Sequence, residues 1–240
     1  MKNLEIYIHI PFCVRKCEYC DFLSFPADDD AKLRYVKGLM AEMIFYGPLM
    51  KNYQVSSVYI GGGTPSSIDE RWIAALMEGV FDCFNVLSDA EISIECNPGT
   101  LSREKLLAYM DEGINRLSIG LQSANNDELK RLGRIHTFEQ FVTNYELARN
   151  VGFKNINVDL MYGLPGQSAS QYMATVNKII RLHPDHISAY SLIVEKGTPF
   201  YEKYKFDMVR QEAGMRTEFL PDEDLSLIHI SEPTRPEPIS

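Results

Sequence analysis

Three cysteines, Cys13, Cys17 and Cys20, lie in the stretch CVRKCEYC at intervals of four and three residues. Thiolates this close could hold zinc, form disulfides or ligate an iron–sulfur cluster. A structural zinc site wants four ligands, usually as two pairs on separate turns. No nearby Cys or His completes this set, and His9 belongs to the strand-like run before it. Three thiolates on a four-iron cluster would leave one iron open, and an open position is where chemistry happens; closely spaced cysteines are well suited to cluster ligation. Five cysteines is an odd number for disulfide pairing, and NLEIYIHI at the start is too short and too polar for a signal peptide. The expected compartment is a reducing cytoplasm, where disulfides are disfavoured.

Other polar residues recur at the ends of apolar runs: GGGTP from Gly61, Glu95-Cys96-Asn97-Pro98, Gln122 and Asp159. The runs are LEIYIHI, SSVYIGGG, EISIECN, RLSIGLQS, NINVDLMYG and HISAYSLIV. Between them lie stretches with apolar residues at helical spacing, opened by Asp or Ser and often closed by Gly. Six strand–helix alternations imply a parallel sheet, either a doubly wound open sheet or a full or partial barrel. An open sheet concentrates its motifs at one switch point, whereas a barrel carries its active site around the C-terminal rim. Contributions from five successive strands favour the curved sheet, an α/β fold built as a partial (β/α)6 barrel.

The chain has 240 residues, 45% of them hydrophobic, enough for one large domain or two small ones. A formal net charge of −9 argues against a nucleic-acid or anionic-membrane partner. No apolar run approaches the roughly 18–20 residues of a spanning helix.

The segment YIHIPFCVRKCEYCDF resembles the signature of the radical S-adenosylmethionine (SAM) superfamily. More narrowly, it is similar to the branch that contains oxygen-independent coproporphyrinogen III oxidase and the haem chaperone HemW, with the resemblance running from about Leu4 to Asp224. The resemblance implies a [4Fe–4S] cluster on Cys13, Cys17 and Cys20, with SAM on the open iron and cleaved to a 5′-deoxyadenosyl radical. It also implies SAM contacts from Tyr7, Gly62, Gly63, Thr64, Glu95 and Ile193, and a second SAM site at Tyr19, Gln122, Arg134 and Asp159. Glycines suit close backbone approach to the cofactor. If Glu95 faces inward, Cys96 faces the helices, and Cys96 and Cys83 are expected to be small hydrophobes rather than ligands. The implied partners are haem or porphyrinogen, client haemoproteins and an electron donor such as a flavodoxin or ferredoxin. Phe22 stands where the decarboxylase has an additional cysteine, which tilts the reading from decarboxylation toward haem carriage.

The expected domains are a core over residues 1–205, the start of a C-terminal extension over 206–224, and a tail over 225–240. LSLIHISEPTR in that tail resembles the in-frame translation of a sequencing adapter, so the biological chain is expected to stop near Asp224. The haem-related region of the family, with its His-containing motif, would follow residue 224. Haem is thus expected of a full-length protein, and none of the histidines before the tail is assigned as a haem ligand.

Overall fold

A computed structural model describes residues 2–220; the expectations for the tail lie outside them. Six strands form one sheet in the order β1-β2-β3-β4-β5-β6: β1 (Lys2–Ile10), β2 (Tyr53–Gly62), β3 (Val86–Cys96), β4 (Arg116–Gln122), β5 (Asn155–Tyr162) and β6 (His186–Ser191). Every neighbouring pair is parallel. A strictly sequential parallel order puts each right-handed crossover on the same side of the sheet. There is no reversal of strand order, hence no doubly wound switch point. The sheet curls as a half-barrel with its helices outside, as the sequence reading expects.

Those helices are α1 (Asp29–Tyr46), α2 (Glu70–Cys83), α3 (Arg103–Asp111), α4 (Asn126–Arg131), α5 (Phe138–Val151), α6 (Ala169–Ile180) and α7 (Pro199–Glu212). Each begins at a residue whose side chain accepts a backbone N–H of the first turn: Asp28, Asp69, Ser102, Asn125, Thr137, Ser168 and Thr198. Such caps satisfy donors that the helix itself leaves unpaired.

Side chains alternate across the strands, and the alternation sorts the two faces by polarity. Ile8, Ile10, Val58, Ile60, Ile92, Ile94, Leu117, Ile119, Val158 and Leu160 are all buried in one apolar core beneath the helices. The opposite, inner face carries Tyr7, Tyr59, Glu95, Ser118, Asn157 and Asp159. A parallel sheet covered on both faces would be apolar on both. Here the inner wall is polar, as a ligand-facing surface requires.

The structure adds two helices to the sequence reading, α4 and α7, and trims β6, which ends at Ser191 where its pairing with Tyr162 ends. The expected core end at residue 205 falls inside α7, which runs on to Glu212. That helix packs Phe200 and Tyr204 with Leu132, Met161, Leu164 and Leu220 in a second apolar cluster. Asp207, only 3% exposed, accepts from the backbone N–H groups of Glu218 (3.0 Å), Phe219 (2.6 Å) and Leu220 (2.9 Å). Burial alone would push this carboxyl up, yet the three N–H groups and Arg210 hold it below 3.8. Hydrogen bonds to a charged group contribute about 1.5–3 kcal/mol each at most, so Asp207→Ala is expected to cost about 3 kcal/mol in urea unfolding. A carboxylate held low stabilises the fold above its unfolded pKa and loses that contribution as pH falls through the folded one. The stability gap between wild type and Asp207→Asn should therefore close below about pH 4; a gap that persists into acid would contradict the assignment.

Candidate functional site

The cysteines occupy the loop between β1 and α1. Phe12, buried just before them, bridges to Phe25, with Cys13 N–H donating to Phe25 O (3.1 Å) and Phe25 N–H to Pro11 O (2.9 Å). This closes residues 13–25 into a loop whose three thiols are half-buried and unpaired by disulfides. Cys20 N–H donates to Cys17 O (3.3 Å), forming a tight turn between the last two thiols. From the other side, Glu18 N–H donates to Leu132 O (3.2 Å) and Phe200 N–H donates to Glu18 O (3.0 Å). The loop is thus gripped between the end of α4 and the start of α7. Tyr19 lies within this grip, its ring 6.3 Å from that of Phe200, and burial raises its pKa.

The second motif, GGGTP, lies against this loop. Gly63 N–H donates to Ile10 O and Thr64 N–H to Phe12 O, both at 2.8 Å. A Cβ on Gly63 would meet Phe12 O at 2.7 Å and Cys13 Sγ at 3.0 Å, so only glycine lets the strand end approach the thiol. Gly62 adopts φ +120°, in the region favouring glycine, with its missing Cβ facing His9. Thr64 is buried and its Oγ1 donates to Cys13 Sγ (3.5 Å). Behind the motif, Lys105 of α3 donates to Ser66 O (2.7 Å) and Ile68 O (2.8 Å), holding the turn in place.

Glu95, at the end of β3, faces inward and accepts from Tyr59 Oη (2.8 Å) and from Gly62 N–H (3.0 Å). Burial pushes its carboxyl up, against the pull of those two donors. The next residue, Cys96, is 3% exposed and joins the apolar core, on the face the alternation expects. Tyr7, on β1, is 58% exposed and stacks at 6.2 Å on Tyr59. Ile193 lies just past β6 and is 65% exposed.

Gln122 and Arg134 come from the unit that starts with β4, and Asp159 from the next, on β5. Gln122 sits at a register shift in β4 with φ +75°. That conformation costs a non-glycine residue about 1–3 kcal/mol and clusters at functional sites. The Arg134 guanidinium donates through Nη2 to Asn97 Oδ1 and to Gly120 O, both at 2.6 Å, and its Nη1 lies 3.7 Å from Cys17 Sγ. Asp159 accepts from Ser118 Oγ (3.1 Å), Asn157 Nδ2 (2.7 Å) and Tyr190 Oη (3.4 Å). Burial raises its pKa despite these donors.

Two features escape a reading from motifs alone. Asn97 joins the two halves of the rim: it donates to Thr64 Oγ1 (2.7 Å) while accepting from Arg134. Tyr59 tethers Glu95, and Ser118, Asn157 and Tyr190 support Asp159. The signal for this second set was available, since all four occupy inward positions of the period-2 alternation.

Residues 7–179 match the family described as the radical SAM superfamily. The chain belongs to that superfamily. Among similar radical SAM proteins, the haem chaperone HemW of Escherichia coli K12 is 38% identical over 227 residues, covering 92% of this chain and 55% of that protein. HemW of Bacillus subtilis is 40% identical over 196 residues, covering 81% of this chain and 52% of that protein. The chain therefore spans about half the length of the curated relatives it matches. The solved structure of the radical SAM enzyme coproporphyrinogen III oxidase (HemN) from E. coli superposes with a TM-score of 0.75 at 27% identity, over 93% of this chain and 56% of that one.

The site fits the cofactors that the radical SAM superfamily implies. Thiols spread along a closed loop, with a glycine cradle beside Cys13 and a cation beside Cys17, suit an extended cluster better than a point ion. Among the described residues, no three His, Cys, Asp or Glu side chains converge on a single metal-ion position. No helix of the described residues is long and apolar enough to cross a membrane.

Proposed function

We propose that this chain forms the cofactor-binding core of a HemW-like haem chaperone, in which Cys13, Cys17 and Cys20 hold a [4Fe–4S] cluster and SAM takes the open iron. The assembled protein takes part in passing haem to client haemoproteins in the cytoplasm, with a flavodoxin or ferredoxin as electron donor. The observation that carries this reading is the closed cysteine loop set against Gly63, Thr64 and Arg134, in a chain 38–40% identical to haem chaperones.

When bound, the cluster supplies SAM with an electron at low potential. The chain's own residues do the rest. Gly62 and Gly63 admit the amino and carboxylate end of SAM to the rim, and Thr64 offers a hydroxyl there. Glu95, held by Tyr59 and Gly62, accepts hydrogen bonds from SAM near Tyr7. Ile193, exposed just past β6, would offer an apolar side chain to the adenine. Tyr19, Gln122, Arg134 and Asp159 would contact a second SAM molecule. Cofactor-dependent proteins work this way in general: the protein positions and shields the group that does the hard chemistry.

A second reading, decarboxylation of coproporphyrinogen III, draws on the likeness to HemN. Phe22 weighs against it, since its ring is 70% exposed on the cysteine loop and offers no thiol.

A chimera tests the choice: residues 2–220 joined to the part of E. coli HemW beyond the matched segment, reconstituted anaerobically with iron, sulfide and SAM. The expected result is haem transfer to an apo-haemoprotein, seen in the Soret band, with no protoporphyrinogen formed from coproporphyrinogen III. Steady turnover of coproporphyrinogen without haem transfer would reverse the assignment.

A further inference from the structure

Arg134 is held by one nitrogen and acts through another. Its Nη2 is fixed by two acceptors from different elements, Asn97 Oδ1 beyond β3 and Gly120 O in β4, both at 2.6 Å. Because the guanidinium is planar and rigid, this anchorage also fixes Nη1, which lies 3.7 Å from Cys17 Sγ. The loop presents Cys17 to it from the other side, since Glu18 N–H is pinned to Leu132 O, two residues before Arg134. Of the loop's own cations, Arg15 and Lys16, the second donates its Nζ to Phe22 O at 2.9 Å. The Arg134 guanidinium therefore faces one of the three candidate cluster thiolates from a position fixed by Asn97 and Gly120.

We infer that Arg134 sets the reduction potential of the cluster by donating an N–H to the sulfur of Cys17. This inference rests on the cofactor reading above. The cluster couple takes up one electron and breaks no bond, so reduction adds one negative charge shared among iron and sulfur. A fixed cation and N–H donor beside one thiolate stabilise the reduced form more than the oxidised form. Hydrogen bonds to the sulfurs are a recognised lever on such potentials. Arg134 is thus a positioning and electrostatic residue acting through Cys17, and removing it makes the cluster harder to reduce.

The test is a spectroscopic redox titration of the anaerobically reconstituted chain, with dithionite as reductant and viologen mediators. Two variants are compared with wild type. Arg134→Met removes the charge at similar length; Arg134→Lys keeps a charge but lacks the second arm of the fork. Arg134→Met should shift the midpoint to more negative potential. The reduced-to-oxidised ratio at fixed potential should fall about tenfold, which for a one-electron couple corresponds to about 59 mV. Arg134→Lys should shift the same way by less, and it decides the matter alone if Arg134→Met fails to fold by circular dichroism. An unchanged midpoint in either folded variant overturns the inference. Iron and sulfide content is read first: a wild-type chain that assembles no cluster removes the cofactor reading and this inference with it. An assembled cluster with an unmoved potential removes this inference alone.

Discussion

Cys13→Ala, Cys17→Ala and Cys20→Ala are each expected to abolish the brown chromophore of the reconstituted chain, with iron and sulfide falling to background. A cluster on three thiolates has no spare ligand, and the loop that carries them holds no fourth cysteine. Cys13 is backed by Gly63 and Thr64, and Cys17 by Arg134, and none of these offers a thiol. Cys83→Ala and Cys96→Ala serve as controls. Cys96 is 3% exposed in the core on the helix-facing side of β3, and burial raises its thiol pKa, which keeps it a small hydrophobe. Both controls should retain the full chromophore, while Cys96→Ala loses about 1 kcal/mol of stability from the small cavity. Normal iron and sulfide in any of the three loop variants would rule out the ligand assignment.

Glu95→Gln is expected to separate binding from stability. If Glu95 accepts hydrogen bonds from SAM, removing its charge weakens charge-assisted bonds that contribute about 1.5–3 kcal/mol. Calorimetric titration of the cluster-loaded protein with SAM should then show a loss of about tenfold or more in affinity. The apo protein should move the other way. The Glu95 carboxyl is raised chiefly by burial, so the native state binds its proton more tightly than the unfolded chain does. The contribution of such a group is fully present below its unfolded pKa and is lost as pH rises through the raised value. At pH 7, above the unfolded pKa, this carboxyl therefore costs stability, and the neutral amide removes that cost. A higher melting temperature for apo Glu95→Gln at pH 7, shrinking as pH is lowered toward the ordinary value of 4.5, is the expected signature. Unchanged SAM affinity would remove Glu95 from the cofactor site, whatever the melting temperature does.

The parts of this arrangement that were legible in the sequence are those encoded locally. The spacing of Cys13, Cys17 and Cys20, the run of glycines at Gly61 and the period-2 alternation of the strands are short-range patterns. They mark the thiols and the second motif, and they set Glu95 and Cys96 on opposite faces of the sheet. The remainder depends on pairing between distant segments. Arg134 and Cys17 are 117 positions apart, and only the grip of Leu132 and Phe200 on Glu18 brings them together. Asn97 is marked in the sequence as a polar residue at a strand end, but its link between Thr64 and Arg134 exists only once three strands are in register. β6 looks continuous through Val194, but its pairing stops with Tyr162, which leaves Ile193 beyond the strand and exposed. α4 is six residues long, too short for helical periodicity to register, and its existence follows from the Asn125 cap.

Three thiolates on a four-iron cluster would leave one iron open for SAM. The most direct measurement is electron paramagnetic resonance of the reconstituted, dithionite-reduced chain, recorded with and without SAM on samples of known iron content. About four irons per chain are expected, with a reduced-cluster signal whose g values move when SAM is added, because SAM would become a ligand of one iron. A signal that SAM leaves unchanged, or stoichiometric zinc in place of iron, would contradict it.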